Sequence, residues 1–186
     1  MQKTIAGLLL LFSFLFIFSC GQGEQGMDDN DNNQNQGPKF FSNDNEKAEE
    51  RLRQVVNAIN EKNKDDLEGL FSMVAIDEAE SFDERMDYLF EFVQGSIESW
   101  DRIGGTVDSS YDHGNTRTKS RYWYDAKTEK ELYLIFLLEY TEDTEHPENV
   151  GLYMLQVIKL KDRMTQFDGG QEILCAGIYK PNTNSP

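Results

Sequence analysis

The sequence predicts an α+β domain in which N-terminal helices pack on one face of a curved antiparallel sheet. Apolar residues recur with helical spacing as far as Gly95, and beyond it the spacing changes to the alternation that is typical of strands. The segment 131–141 is apolar on both faces, as a central strand covered on both sides should be. Helices followed by a run of strands with short turns favour a layered α+β arrangement.

The chain opens with an apolar segment that predicts export. Lys3 is the only charged residue before an apolar run that ends at Phe18, and this run is shorter than the about 20 residues of a spanning helix. The segment closes on Ser19-Cys20-Gly21, which resembles the cleavage site of bacterial lipoprotein signal peptides. The resemblance implies removal of residues 1–19, diacylglycerol and palmitate on Cys20, and lipid anchoring at the extracytoplasmic face of the bacterial cell membrane. An ordinary signal peptide and an uncleaved anchor are the alternatives.

The rest of the chain divides by composition into three parts. Residues 20–44 are rich in Gly, Gln, Asn and Asp and have little to bury, so they predict a disordered tether. Residues 45–181 are predicted to form one domain, and residues 182–186 are predicted to be a disordered tail. The domain holds 16 Lys and Arg against 29 Asp and Glu, a net charge of −13. This charge argues against a nucleic-acid partner and against an anionic membrane surface, because both would be repelled.

Three helices are predicted before Gly95. Each has an apolar stripe at the i, i+3, i+4 spacing of one helix face. The first ends at Asn63, which also caps the second, and the stripe of the second runs without a break over 67–74. The first and the third begin with a capping box, in which a polar side chain and a Glu three residues later satisfy backbone N–H groups. The two capping pairs are Asn43 with Glu46 and Ser81 with Glu84.

Six strands are predicted after the helices, each bounded by residues that favour turns. The turns contain Gly104-Gly105, the segment 112–115, the segment 125–130 and Asp168-Gly169-Gly170. The third strand alternates, with Arg117, Lys119, Arg121 and Trp123 on one face and Thr118, Ser120, Tyr122 and Tyr124 on the other. The predicted strands are 97–103, 106–111, 116–125, 131–141, 149–161 and 171–179.

Four stretches resemble an uncharacterised family of bacterial lipoproteins, domain of unknown function 5104. They are FDERMDYLFEFVQGSIESW (82–100), YTEDTEHPENVGLYMLQVIK (140–159), Thr165-Gln166-Phe167 and GIYKP (177–181). The helix break at 63–72, with helices before a meandering sheet, resembles the nuclear-transport-factor-2-like superfamily of cystatin-like cones. The resemblance implies a cone fold and extracytoplasmic anchoring, and it brings no catalytic residue and no cofactor with it.

Members of this superfamily commonly hold a pocket between the concave sheet and the helices. Here the resemblance implies an aromatic lining that would suit an apolar or flat ligand. The same side chains would serve equally well as ordinary core, and acid-base enzymes of this fold pair a buried carboxylate with Tyr or His. Which carboxylate is buried is left open by the sequence. The residues predicted to line the pocket are Tyr88, Phe92, Tyr122, Tyr124 and Phe136.

Other candidate sites have a plain structural alternative. Arg117, Lys119 and Arg121 form a basic stripe that would contact a carboxylate or phosphate, the alternative being an exposed strand face. The acidic segment 142–148 would offer oxygens to a hard cation, but it resembles no complete metal loop and is expected to be a solvated turn. His113 and His146 lie in predicted turns and are expected to be surface residues, and Cys175 a buried, inert thiol.

The sequence indicates no catalytic motif, no metal site and no cofactor. The favoured function is a non-catalytic lipoprotein whose domain binds an unidentified small molecule or a protein partner at the cell envelope. A small acid-base enzyme, of isomerase or hydrolase type with a pocket carboxylate and Tyr88, Tyr122 or Tyr124, is the main alternative. A third hypothesis is an interaction protein whose acidic surface meets a basic envelope protein. A homodimer through the outer sheet face would cover the doubly apolar strands.

Overall fold

Helices and sheet follow each other in the chain as the change of apolar spacing predicts. A computed structural model describes residues 40–181, with side chains from residue 45 onward. The predicted signal peptide, Cys20, most of the predicted tether and the tail 182–186 lie outside the described residues. The helices precede the sheet and pack on one of its faces, so the predicted α+β class is confirmed.

Four helices come before the sheet in the described part of the chain. The first extends further towards the N-terminus than predicted, since Phe40 is already helical. Asn43 therefore lies inside the helix, and the prediction that it caps the helix is wrong. Among residues 40–181, no helix has both the length and the apolar character needed to cross a membrane. The helices are α1 (Phe40–Glu61), α2 (Lys64–Glu68), α3 (Met73–Glu78) and α4 (Phe82–Phe92).

The two other predicted caps differ in outcome. Asn63 has extended backbone, and its side chain accepts a hydrogen bond from the N–H of Asp66 (3.2 Å), so the predicted cap of α2 is confirmed. Ser81 has a left-handed backbone (φ 48°) and makes no side-chain cap. A capping side chain needs extended backbone to reach the first turn. The capping box of Ser81 and Glu84 is therefore wrong, although α4 itself begins next to it.

The continuous helix predicted over 67–74 is wrong, because the sheet captures its middle. Phe71 forms an isolated parallel bridge with Leu152. The N–H of Ser72 donates to the carbonyl of Leu152 (2.9 Å), and the Ser72 hydroxyl accepts from the N–H of Ala75 (3.1 Å) to start α3. The apolar stripe is real, but part of it belongs to a short extended link between two helices.

The sheet has five strands in the order β1-β2-β3-β4-β5. All neighbours are antiparallel except β4 and β5, which are parallel. Short helical turns at Pro147–Asn149 and Leu160–Asp162, and helix α5 (Arg163–Gln166), connect the later strands. The strands are β1 (Ser99–Asp112), β2 (Asn115–Lys127), β3 (Leu132–Asp143), β4 (Gly151–Lys159) and β5 (Gly177–Ile178).

The first two predicted strands are one strand, so the turn predicted at Gly104-Gly105 is wrong. A Cβ atom at Gly104 would overlap the Trp123 ring of the neighbouring strand. Glycine is thus needed there because the indole lies directly over the β1 backbone. The turn predicted at 112–115 is confirmed. His113 and Gly114 both have positive φ (48° and 92°), as a tight two-residue hairpin requires.

Strands β3 and β4 are buried on both faces, which confirms the prediction for the segment 131–141. On the helix side, Tyr133 ties the sheet to the end of α4. Its hydroxyl donates to the carbonyl of Phe92 (3.2 Å) and accepts from the N–H of Gln94 (2.9 Å). The other buried side chains of this face in β2 and β3 include Tyr122, Tyr124, Ile135 and Leu137.

The opposite face of the sheet is covered by the chain itself. Apolar side chains of the segment 160–179 pack against a second buried cluster in β3 and β4. Cys175 belongs to this cover as a free, partly buried thiol whose pKa is raised by burial. The buried members of this cluster are Leu134, Phe136, Leu138, Met154 and Ile158.

Only Gly177–Ile178 of the strand predicted over 171–179 is a strand, so most of that prediction is wrong. The cause is Asp168, whose carboxylate accepts hydrogen bonds from four backbone N–H groups, at 2.6 to 3.2 Å. N–H groups directed at one side chain cannot pair with a neighbouring strand. These four hydrogen bonds lower the pKa of Asp168, against the effect of its burial, which is the largest single influence and acts to raise it.

Candidate functional site

A groove between α1 and the end of β3, here called the α1–β3 groove, has a buried charged residue, Glu139, in its lining. Its volume is about 450 Å³. Polar side chains of α1 form one wall, and β3 with the start of β4 forms the other. The lining residues are Glu46, Lys47, Glu50, Arg51, Gln54, Glu139, Tyr140, Thr141 and Val150.

Glu139 lies at the floor of this groove because of the alternation of β3. It follows Tyr133, Ile135 and Leu137 on the face that the helices cover, where it pairs in register with Ser120 of β2. Its side chain is 3% exposed. Helix α1 supplies the charge that faces it, since residues four apart share a helix face and Lys47 and Arg51 have this spacing.

Arg51 is the hydrogen-bond partner of Glu139. Its Nε donates to Oε2 of Glu139 at 2.8 Å, and its Nη1 donates to Oε1 of Gln54 at 3.2 Å. Within residues 45–181, no hydrogen bond is formed by Oε1 of Glu139 or by Nη2 of Arg51. The pair is therefore held on its inner side and has hydrogen-bonding capacity left towards the groove.

Burial controls the protonation of Glu139. Loss of hydration raises the pKa of its carboxyl group, while the charge and hydrogen bond of Arg51 and the charge of Lys47 oppose the rise. The raising influence is the larger. A buried carboxyl group with a raised pKa in a cavity is a recognised feature of binding and catalytic sites.

Tyr124 provides a second buried polar group below α1. It is fully buried, and its hydroxyl has no hydrogen-bond partner among the described residues. Burial raises the pKa of this hydroxyl strongly, and the nearby carboxylates of Glu49 and Glu139 act in the same direction. Glu49 itself accepts a hydrogen bond from the indole N–H of Trp100 (3.3 Å). Tyr124 thus lies within electrostatic reach of Glu139 without lining the groove.

The aromatic residues predicted to line one pocket lie in three places. Tyr88 and Phe92 stack on each other along α4, with ring centroids 5.4 Å apart. Tyr122 lines a separate cavity of about 440 Å³ beside β1, and Tyr124 is enclosed in the core. Phe136 lies on the opposite face of the sheet, against Phe167 at 5.5 Å. The structure does not bring these side chains together around one cavity.

The basic stripe of β2 is mostly neutralised by carboxylates. Arg117 forms an ion pair with Asp143 (3.6 Å) and donates to the hydroxyl of Tyr140 (2.9 Å), and Arg121 pairs with Asp108 (3.1 Å). Lys119 has no ion pair within residues 40–181. Arg117 and Lys119 border a small cavity of about 250 Å³. Any anion at this surface would compete with these carboxylates for both arginines.

The acidic segment 142–148 is organised by its own backbone. Asp143 is buried, and its carboxylate accepts hydrogen bonds from the N–H of His146 and from the Asn149 amide, both at 2.9 Å. These hydrogen bonds, led by that of Asn149, lower the pKa of Asp143. His113 and His146 are both exposed. No cluster of three His, Cys, Asp or Glu side chains among residues 40–181 could hold a metal ion.

Glu139 and Arg51 are the site residues that the sequence interpretation did not single out. A signal for Glu139 was present, because it lies within the segment 131–141 that is predicted to be covered on both faces. No comparable signal exists for Arg51, since α1 carries charged residues around most of its surface.

Comparison with known families gives one match. The family model described as Domain of unknown function (DUF5104) matches residues 54–160, more than half of the chain. The matched residues include Gln54, Glu139 and the β3–β4 wall of the groove, whereas Lys47 and Arg51 precede them. The comparison with curated proteins finds no match.

Proposed function

The chain belongs to the family of the domain of unknown function DUF5104, and we propose that it is a lipid-anchored extracytoplasmic protein that binds a small molecule in the α1–β3 groove. The observation that carries the proposal is the buried Glu139 at the floor of a cavity of about 450 Å³. Ligand pockets typically have volumes of about 300 to 1,000 Å³ and a few well-placed polar groups. Helices packed on one face of an antiparallel sheet support the further proposal of a cystatin-like cone.

Anchoring rests on the Ser19-Cys20-Gly21 pattern that follows the apolar run. Radiolabelled fatty acid should enter the wild-type protein and should be absent from Cys20→Ala. Cys175→Ala is the matched control, because it removes the only other cysteine of the chain and should keep the label. Labelling of the Cys20→Ala protein would contradict lipid attachment at this residue.

Ligand binding is tested by filling the groove. Val150 lines it and is 43% exposed, so Val150→Trp should occupy the cavity with little effect on the core. Compounds from a screen of small polar metabolites should raise the Tm of the full-length wild type, and Val150→Trp should lose that effect. Leu132→Trp is the control, since Leu132 is similarly exposed (47%) at the other end of β3. Equal stabilisation of wild type and Val150→Trp would contradict binding in the groove.

An acid-base enzyme of isomerase or hydrolase type is the second candidate function. The observation in its favour is the raised pKa of Glu139 beside an open groove. A carboxylate with a raised pKa is a better general base near neutral pH than an ordinary one. Of the tyrosines considered with it, Tyr124 lies close enough for the charge of Glu139 to help raise the pKa of its hydroxyl, whereas Tyr88 lies on α4. A Glu139→Gln protein that binds a metabolite and no longer converts it would favour the enzyme.

Partners other than a small molecule remain proposals with their own surfaces. An apolar groove beside α3, with Met73 exposed (74%) and an acidic rim of Asp77, Glu78 and Glu148, would suit a basic envelope protein. A homodimer would use the outer face of the β1–β2 hairpin, because the segment 160–179 already covers the centre of that face. Sedimentation at high concentration tests the homodimer, and crosslinking in the envelope tests the basic partner.

A further inference from the structure

We propose, resting on the small-molecule site above, that the α1–β3 groove selects zwitterions of the α-amino acid class. The ligand ammonium group would bind Oε1 of Glu139, and its carboxylate would bind Lys47 and the outer edge of Arg51. Three features carry the inference: the unused oxygen of a buried carboxylate, two cations beside it, and a groove whose charges balance.

The acceptor for an ammonium group is Glu139. Its Oε2 is engaged by Arg51 (2.8 Å), whereas its Oε1 has no partner in the part of the chain that the structure describes. A buried carboxylate that accepts a single side-chain hydrogen bond has lost more hydration than its partner replaces. An ammonium group with three donors at this position would make the charge-assisted hydrogen bonds that are missing.

The donors for a ligand carboxylate lie on the α1 wall. Lys47 is exposed and forms no ion pair with the side chains described, those of residues 45–181, although its charge acts on Glu139. Arg51 keeps Nη2 without a hydrogen-bond partner in the same residues, while Nη1 is held by Gln54. Both cations lie one helical turn apart on the wall that faces Glu139. A carboxylate between them would receive donors from two side chains.

The charge balance of the lining disfavours simple ions. Glu50 is paired with Arg53, so that Glu46 and Glu139 stand against Lys47 and Arg51. A simple anion would meet the two carboxylates and the net charge of −13 of residues 45–181. A simple amine would meet the two cations. A zwitterion carries no net charge and can pair with both sets at once.

Room for a side chain is left beside Val150 and Tyr140. Val150 offers apolar surface at the opening of the groove, being 43% exposed, and Tyr140 lines the same wall. A cavity of about 450 Å³ exceeds what the polar end of an amino acid fills. We therefore expect tighter binding of amino acids with an aliphatic or aromatic side chain than of glycine.

The experiment is titration calorimetry of the full-length protein with the twenty standard amino acids. For each one that binds, the matching amine without the carboxylate and the matching acid without the amino group are titrated as well. Each analogue should bind at least about tenfold more weakly, the loss expected for one charge-assisted contact. An analogue that binds as tightly as its parent amino acid would overturn the zwitterion inference.

Variants then assign each end of the ligand. Glu139→Gln keeps an acceptor for Arg51. It should weaken the binding of the amino acid and of the amine analogue, but not the binding of the acid analogue. Lys47→Gln should weaken the binding of the amino acid and of the acid analogue, but not the binding of the amine analogue. Glu142→Gln and Lys130→Gln are the controls, because both side chains are exposed and neither lines the groove. Equal effects of a site variant and its control would overturn the assignment of that end.

The outcomes separate this inference from the proposed function. If none of the twenty amino acids binds while other metabolites still stabilise the wild type and not Val150→Trp, the groove is a ligand site of another class. The zwitterion inference is then wrong and the proposed function stands. If no compound of either set binds, both are wrong.

Discussion

Two buried carboxylates of the same strand, Glu139 and Asp143, lie four residues apart and show opposite electrostatic behaviour. Both residues have little solvent-accessible surface, 2% for Glu139 and 5% for Asp143, but loss of hydration is the largest influence on the pKa of Glu139 and only the third on that of Asp143. Asp143 accepts two neutral hydrogen bonds and faces Arg117, and its pKa is lowered. Glu139 accepts a single hydrogen bond, from Arg51, and its pKa is raised.

A buried carboxylate therefore has a structural role when both of its oxygens accept hydrogen bonds from the surrounding chain, as those of Asp143 do. The turn after β3 is shaped around Asp143 and leaves no acceptor open. The α1 wall holds Glu139 on one side only, and the other side opens into the groove. Unfilled hydrogen-bonding capacity, together with the burial that raises its pKa, identifies Glu139 as the candidate for ligand contact.

The largest expected effect is that of Asp143→Ala. The substitution removes the acceptor of the His146 N–H and the Asn149 amide and leaves Arg117 without its ion pair. We expect the Tm of the full-length protein to fall by several degrees in thermal unfolding, because the donors of the turn lose their partner. Glu142→Ala, one residue away and exposed, should change the Tm little. A similar fall in both variants would show that Asp143 has no special structural role.

Two buried tyrosines allow the same comparison for neutral groups, since the hydroxyl of Tyr133 is hydrogen-bonded and that of Tyr124 has no partner among the described residues. Tyr133→Phe should lower the free energy of unfolding in urea by about 1 to 2 kcal/mol, because it leaves the Phe92 carbonyl and the Gln94 N–H without this partner. Tyr124→Phe should leave the free energy of unfolding unchanged or raise it, since its buried hydroxyl has no partner among the described residues. A larger loss in Tyr124→Phe than in Tyr133→Phe would contradict the argument from filled hydrogen bonds.

The pH dependence of stability should have opposite signs at the two carboxylates. The folded state binds the proton of Glu139 more tightly than the unfolded state, so its contribution to stability is lost as the pH rises from 4.5 through the raised pKa. Glu139→Gln should therefore gain stability relative to wild type over that range. The contribution of Asp143 is present above pH 3.8 and is lost as the pH falls through its lowered pKa.

Asp143→Asn is the matched variant for this measurement. The free energy of unfolding of this variant should fall further below that of the wild type as the pH rises to 3.8. The reason is that only the wild type has a side chain that ionises and is then stabilised by its hydrogen bonds. Urea unfolding of wild type and both variants across acidic and neutral pH gives the two differences. The same sign at both positions would contradict the contrast between them.

The parts of the fold that were predictable from sequence are those decided by local pattern. The apolar run of 131–141 predicted a doubly covered strand, and the residues at 112–115 predicted the hairpin turn. Two of the failures involve a distant partner. Leu152 interrupts the helix predicted over 67–74, and the Trp123 ring makes Gly104 part of a strand instead of a turn.

The candidate site was less predictable than the fold for the same reason. Glu139 could have been recognised as buried from its position in an apolar strand, but its partner could not, because α1 carries charged residues on most of its surface. Contact between Arg51 and Glu139 joins residues 88 positions apart. The aromatic residues chosen as pocket lining were separated by the sheet, which places Phe136 on the face opposite Tyr124.

The most direct test of the central contrast is a ¹³C NMR titration of the side-chain carboxyl groups of Glu139 and Asp143 in the full-length protein. Glu139→Gln and Asp143→Asn assign the two resonances, since each variant removes one of them. We expect Glu139 to titrate above 4.5 and Asp143 below 3.8 in the same sample. Titration of Glu139 at or below 4.5, or of Asp143 at or above 3.8, would contradict it.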